Sequence, residues 1–160
     1  VSAASDVFEE LRSRGWTLGI AESLTGGAVT AEFVSVPGAS EVLLGGVVAY
    51  ATPVKHTLLG VDGELLAAHG PVHPQVALEM ADGVRSAVAV DGRRADAGLS
   101  TTGIAGPDSP DGQPVGTVHI GVVTPLGERT AAFLFSGDRA QIRAQSVQAA
   151  FSLLRGILRE

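Results

Sequence analysis

Lysine occurs once in this 160-residue chain, at position 55, against ten arginines, and the single tyrosine, Tyr50, stands five residues before it. A guanidinium stays protonated in proteins, whereas an ammonium can be shifted to titrate near neutral pH. A lysine kept in so arginine-biased a composition therefore points to proton transfer; the alternative is an ordinary surface charge. A hydroxyl that such a base could activate lies in Ala21-Glu22-Ser23-Leu24-Thr25-Gly26-Gly27. A strand is expected to give way to a helix here, which would stand the Ser23 hydroxyl at the carboxyl edge of a sheet, where open α/β folds bind ligands. Gly26 and Gly27 let a ligand approach the backbone, and N–H groups at a helix start can hold an anion or a developing oxyanion. The competing reading is helix capping by Ser23 or Thr25, with the glycines serving packing. The segment is not the G-x-S-x-G elbow of hydrolases, and no G-x-x-x-x-G-K-[ST] phosphate loop occurs in the chain.

The elements that must position these residues alternate between helix and strand periods. Val7, Phe8 and Leu11 predict an opening amphipathic helix that stops near Gly15. Thr17 to Ala21 reads as a strand, and a second helix follows Thr25-Gly26-Gly27 toward Pro37-Gly38. Val42 to Tyr50 is an apolar run that is strand-like at its end, followed by short helical pieces around Val54 to Leu59 and Glu64 to His69. Val76, Met80, Val84 and Val88 mark one face of a helix that begins after Pro74. Ala97 to Thr101 reads as a strand leading into a Gly/Pro/Asp-rich loop from Gly103 to Pro114. Val115 to Val123 and Thr130 to Phe135 predict a hairpin turning at Pro125-Leu126-Gly127, and Val147, Phe151, Leu154 and Leu158 form the stripe of a last helix. This order predicts a single three-layer α/β/α domain over 1–160 with a mixed, mostly parallel sheet and an antiparallel hairpin.

Composition narrows the function classes. Hydrophobic residues make up 45% of the chain and charged ones 18%, which excludes a disordered chain. A net charge of −6 disfavours nucleic-acid and anionic-membrane partners. The absence of cysteine rules out disulfides and thiolate zinc sites. His56, His69, His73 and His119 show no metal-ligand spacing, so neither a metal nor another cofactor is expected. With no long apolar run and no basic-then-apolar leader, the expected location is cytoplasmic. The apolar content leaves room for a homo-oligomer.

Three segments in combination carry a family resemblance: Ala21 to Gly27 (AESLTGG), Gly45 to Lys55 (GGVVAYATPVK), and Thr102 to Pro107 (TGIAGP) followed by Pro114 to Val118 (PVGTV). Together they resemble the carboxy-terminal domain family of CinA, the competence/damage-inducible protein, over about Val7 to Leu158. Stand-alone members are nicotinamide-nucleotide amidases of the PncC type. The resemblance implies a three-layer fold and hydrolysis of the carboxamide of nicotinamide mononucleotide to nicotinic acid mononucleotide and ammonia. The implied partner is thus a small pyridine nucleotide. Pyrophosphatase chemistry attributed to the amino-terminal domain of full-length CinA is not expected of these residues.

Carried over by residue, the resemblance implies Ser23 as nucleophile with Lys55 and Tyr50 as its acid–base partners. Either of the two could be the proximal base. A neutral lysine amine can take a serine proton once burial or a positive neighbour lowers its pKa. Tyr50 could relay the proton or hold the pair in register; its other reading is packing at a strand end. Arg139 and Arg143 lie four apart at the start of the last helix and become candidates for the 5′-phosphate, or else a solvated face paired with Asp138. Thr25, Gly26, Gly27, Thr102 and Gly103 complete the expected substrate-binding set, while Gly106-Pro107 is expected to shape its loop. Glu22 is either a second polar member of the site or a structural acceptor.

Departures from the family pattern are Leu24, which replaces a common cysteine, Asp108-Ser109-Pro110-Asp111-Gly112 in place of a glycine-richer loop, and His73 where serine is common. The second function class is a non-catalytic nucleotide- or partner-binding domain with the same pocket. A dehydrogenase is disfavoured: Tyr50 and Lys55 are one residue too far apart for Y-x-x-x-K, and no G-x-G-x-x-G follows the first strand.

Overall fold

The computed structural model describes residues 2–160. Helix α1 (Ala3–Arg14) starts where the Ser2 hydroxyl accepts the Ser5 N–H and ends at Gly15 in the left-handed region. Strand β1 (Leu18–Glu22), helix α2 (Ala28–Val34) and a 3-10 turn at Ala39–Glu41 lead to strand β2 (Leu43–Val48). Three helices follow: α3 (Thr52–Leu59), α4 (Gly63–His69) and α5 (Pro74–Ala87). Strands β3 (Ala97–Gly103), β4 (Thr117–Thr124) and β5 (Gly127–Leu134) precede the long α6 (Arg139–Leu158).

The sheet order is β2-β1-β3-β4-β5. β1 pairs in parallel with β2 and β3, and β4 runs antiparallel to both β3 and β5. Four strands therefore share one direction and β4 alone is reversed. The expected hairpin closes over Pro125-Leu126, with Thr124 paired to Gly127. α1, α2 and α6 cover one face through Val7, Phe33, Phe151 and Leu154, packed on Leu18, Ile20, Leu99 and Ile120. The other face carries α3, α4 and α5, with Leu59, Leu66, Val76, Met80 and Val84 buried against Ala21. Alternate residues of β1 thus serve opposite layers, as a strand's period of two requires.

Close approach of α5 depends on glycines. Gly45, Gly19 and Gly98 stand in register across β2, β1 and β3. A Cβ at Gly98 would lie 1.8 Å from the Ala81 carbonyl oxygen, and one at Gly19 2.9 Å from Val88. The helix therefore rests on the sheet backbone, which side chains in that row would prevent.

This topology brings distant segments to one edge. Because β1, β2 and β3 are parallel, their carboxyl ends deliver Ser23, Ala49-Tyr50 and Thr102-Gly103 side by side. β5 ends at the same edge and hands the chain to the start of α6, so Arg139 and Arg143 arrive there too. No helix among the described residues is long and apolar enough to cross a membrane.

Candidate active site

Lys55 sits in the first half of α3 and is 1% exposed. Its Nζ lies 2.9 Å from Ser23 Oγ and donates to the carbonyls of Ala49 at 2.7 Å and Tyr50 at 3.1 Å. Burial lowers its pKa from 10.5 to about 8, since removing an ammonium from water disfavours the charged form. Protonated, the amine has three donors for these three acceptors. Neutral, its two N–H groups match the two carbonyls and its lone pair is left for the Ser23 hydroxyl. The arrangement can therefore take a proton from the serine. A guanidinium could not.

Ser23 opens the turn between β1 and α2. Its N–H donates to Thr101 O at 3.1 Å, and Gly26 N–H donates back to Ser23 O at 3.1 Å. Neither Ser23 nor Thr25 caps α2. Gly27 holds the N-cap position at φ 107°, and the fully buried Glu22 carboxylate takes the helix-start donors. Glu22 accepts from Val29 N–H at 2.8 Å, Thr30 N–H at 2.9 Å and the Thr30 hydroxyl at 2.7 Å. Glu22 is thus the structural acceptor. It also corrects the expectation that the α2 N-terminus is open to an anion, because a carboxylate of the protein already occupies it. Earlier in the turn, the N–H groups of Leu24 and Thr25 have no acceptor among the described residues.

Above the pair opens a cavity of about 470 Å³, within the usual range for a small-molecule site. Ser23, Tyr50, Lys55, Thr102, Gly103 and Arg139 line it, together with Asp108 of the substituted loop and the unforeseen Thr52 and Pro71-Val72. The substituted loop therefore forms part of the wall, and Asp111 joins it there. The carboxylates of this loop were visible in the sequence as a departure. Pro71-Val72, carried in by the α4–α5 connection, left no local signal.

Several expected site residues are placed differently. Thr25, Gly26, Gly27 and Arg143 do not line the cavity. Thr25 is fully buried, with its hydroxyl 2.8 Å from that of Thr101. Arg143 turns to the backbone, donating from Nε to Leu24 O at 2.9 Å and from Nη2 to Thr25 O at 3.1 Å. Thr102 lines the cavity, but its hydroxyl donates to Pro71 O at 2.8 Å. Tyr50 is 61% exposed rather than packed, and its hydroxyl accepts from Arg139 Nη2 at 3.2 Å, not from Lys55 or Ser23. Its contact with Lys55 is through its backbone carbonyl. Arg139 also donates from Nη1 to Gly106 O. Asp138 pairs with neither arginine and forms a capping box with Gln141. His73, at the position where serine is common, caps α5 by accepting from Gln75 N–H at 3.1 Å.

A mixed five-strand sheet between two helical layers, with a serine and a buried lysine meeting at its carboxyl edge, defines the class. The chain belongs to the CinA C-terminal domain family, whose sequence profile matches residues 1–158. A CinA-like protein of Frankia casuarinae is 47% identical over 148 residues, 92% of this chain and 33% of that protein. A CinA-like protein of Anaeromyxobacter dehalogenans is 46% identical over 155 residues, 96% of this chain and 36% of its own length. The chain thus spans about a third of these curated relatives. Among solved structures, competence damage-inducible protein A from Klebsiella pneumoniae superposes with a TM-score of 0.90 at 32% identity, covering 99% of this chain and 96% of that one. A competence/damage-inducible protein from Agrobacterium tumefaciens gives 0.85 at 29%, covering 98% and 96%.

Proposed function

We propose that this domain is a metal-independent serine amidase that hydrolyses the carboxamide of nicotinamide mononucleotide to nicotinic acid mononucleotide and ammonia. The observation that carries this reading is the buried Lys55 amine at 2.9 Å from Ser23 Oγ, with a pKa lowered to about 8. Such a pair supplies a nucleophile and its general base without a histidine. Neutral Lys55 takes the Ser23 proton as Oγ attacks the carboxamide carbon, and the N–H of Leu24, a residue that lines the cavity, receives the oxyanion. Collapse breaks the C–N bond as the Lys55 ammonium gives its proton to the departing amide nitrogen, which leaves as ammonia. Lys55 then deprotonates a water, whose hydroxide attacks the acyl ester; collapse expels Ser23 Oγ, which recovers the proton from Lys55, and the acid leaves as its carboxylate. Arg139 is assigned the 5′-phosphate, and the exposed Tyr50 ring offers a face to the pyridine ring. The family resemblance supplies the nucleotide; the geometry supports acyl transfer by a serine.

The test is ammonia and nicotinic acid mononucleotide production by the wild type, Ser23→Ala and Lys55→Arg, without added metal. Turnover lost in both variants is expected. Near-normal turnover by Lys55→Arg would overturn the mechanism, and nucleotide binding without turnover by the wild type would favour a binding domain.

A further inference from the structure

The two arginines at the start of α6 differ in what they hold. Arg139 lines the cavity, whereas Arg143 crosses from the helical layer to the turn that carries Ser23. Its planar fork grips two successive carbonyls, those of Leu24 and Thr25, the residues immediately after Ser23. We propose that Arg143 is a positioning residue for Ser23, not a ligand for substrate phosphate; this rests on the reading of Ser23 as nucleophile.

The physical reason lies in the planarity of the peptide unit, in which N–H points opposite to C=O. Holding Leu24 O fixes the plane of the Leu24–Thr25 peptide, the second after Ser23. Holding Thr25 O orients the Gly26 N–H, which donates to Ser23 O at 3.1 Å and so fixes the Ser23–Leu24 peptide, whose N–H is the donor assigned to the oxyanion. On the side of the sheet, Thr101 secures the same turn, accepting the Ser23 N–H at 3.1 Å and meeting the Thr25 hydroxyl at 2.8 Å. The turn is therefore fixed from both sides, and the α6 side depends on a bidentate guanidinium. A lysine ammonium, a point charge on a flexible stem, cannot hold both peptide planes in one geometry. Arg143 also lies over Gly26, where an added Cβ would stand at van der Waals distance, 3.5 Å, from its Nη2.

The experiment uses the full chain as wild type, Arg143→Gln, Arg143→Lys and Arg139→Gln, with thermal melts to verify folding. Each is assayed with nicotinamide mononucleotide and with nicotinamide riboside, which has the same carboxamide and no phosphate. The rate at which a fluorophosphonate labels Ser23 is measured in parallel. For Arg143→Gln, kcat and the labelling rate should fall about 10- to 100-fold, the cost of a small misplacement of reacting groups. KM should stay within about twofold and the preference for nucleotide over nucleoside should persist. Arg143→Lys should recover only part of the loss, and it serves alone if the glutamine variant does not fold. Arg139→Gln should instead erode the nucleotide preference. Wild-type kcat and labelling in folded Arg143→Gln would overturn the proposal, as would a loss confined to the phosphorylated substrate. If the wild type turns over neither substrate but its Ser23 labels in an Arg143-dependent way, the positioning role stands and the substrate assignment fails. An unreactive Ser23 in the wild type would overturn both.

Discussion

Replacing Lys55 by methionine should abolish turnover and at the same time change how stability depends on pH. Methionine has a similar length and no charge, so it fits the same buried channel. In the folded chain burial lowers the Lys55 pKa to about 8, against 10.5 in the unfolded chain. Between those values the unfolded chain holds one more proton than the folded one, so wild-type stability rises with pH across that window. Below pH 8 the fold carries the full penalty of a desolvated ammonium, about 3 kcal/mol for a shift of this size. Lys55→Met removes that penalty and also the hydrogen bonds to Ala49 O, Tyr50 O and Ser23 Oγ. The loss of those bonds shifts the variant by an amount that does not depend on pH. The difference in unfolding free energy, variant minus wild type, should therefore be about 2–3 kcal/mol more favourable to the variant at pH 7 than at pH 10. The chain suits this measurement, since its only lysine is the residue replaced, it has one tyrosine and no cysteine, and other groups cancel in the difference. Urea unfolding of both proteins at the two pH values is the assay. Parallel stability curves would refute the burial of a titrating amine. The same titration predicts that wild-type kcat/KM climbs with pH and levels off above about 8, because the neutral amine is the base.

Glu22→Gln should lower stability by about 1.5–3 kcal/mol, because it removes a charge-assisted acceptor and turns an amide NH₂ toward the donors of Val29 and Thr30; an unchanged urea midpoint would count against the capping role. Gly98→Ala would bring a methyl to 1.8 Å from the Ala81 carbonyl and should cost more than about 3 kcal/mol or prevent folding, read from expression and urea melts. Asp138→Ala removes the capping box with Gln141 and should cost about 1 kcal/mol, measured in the same way.

Much of the architecture is legible in the sequence because it depends on short-range periods. The four-residue spacing of Val76, Met80 and Val84 marks α5, Gly15 marks the end of α1, and Pro125-Leu126 marks the hairpin turn. The residues able to do chemistry are legible too. One lysine among ten arginines and a serine at a strand-to-helix junction are facts of composition and order. What each polar group faces is a different matter. Ser23 and Lys55 are 32 positions apart and meet because parallel pairing of β1 with β2 aligns their carboxyl ends. Tyr50 contributes a carbonyl to the lysine while its phenol turns outward, and no local pattern separates those two uses. Glu22, Thr25 and Arg143 looked interchangeable with ligand-binding groups until packing set their directions. Residue types and spacing limit which hydrogen bonds a chain can make. Which of them form depends on the layer and strand end to which each side chain is delivered, and in this domain those neighbours come from far along the chain, 119 positions away in the case of Arg143 and Leu24.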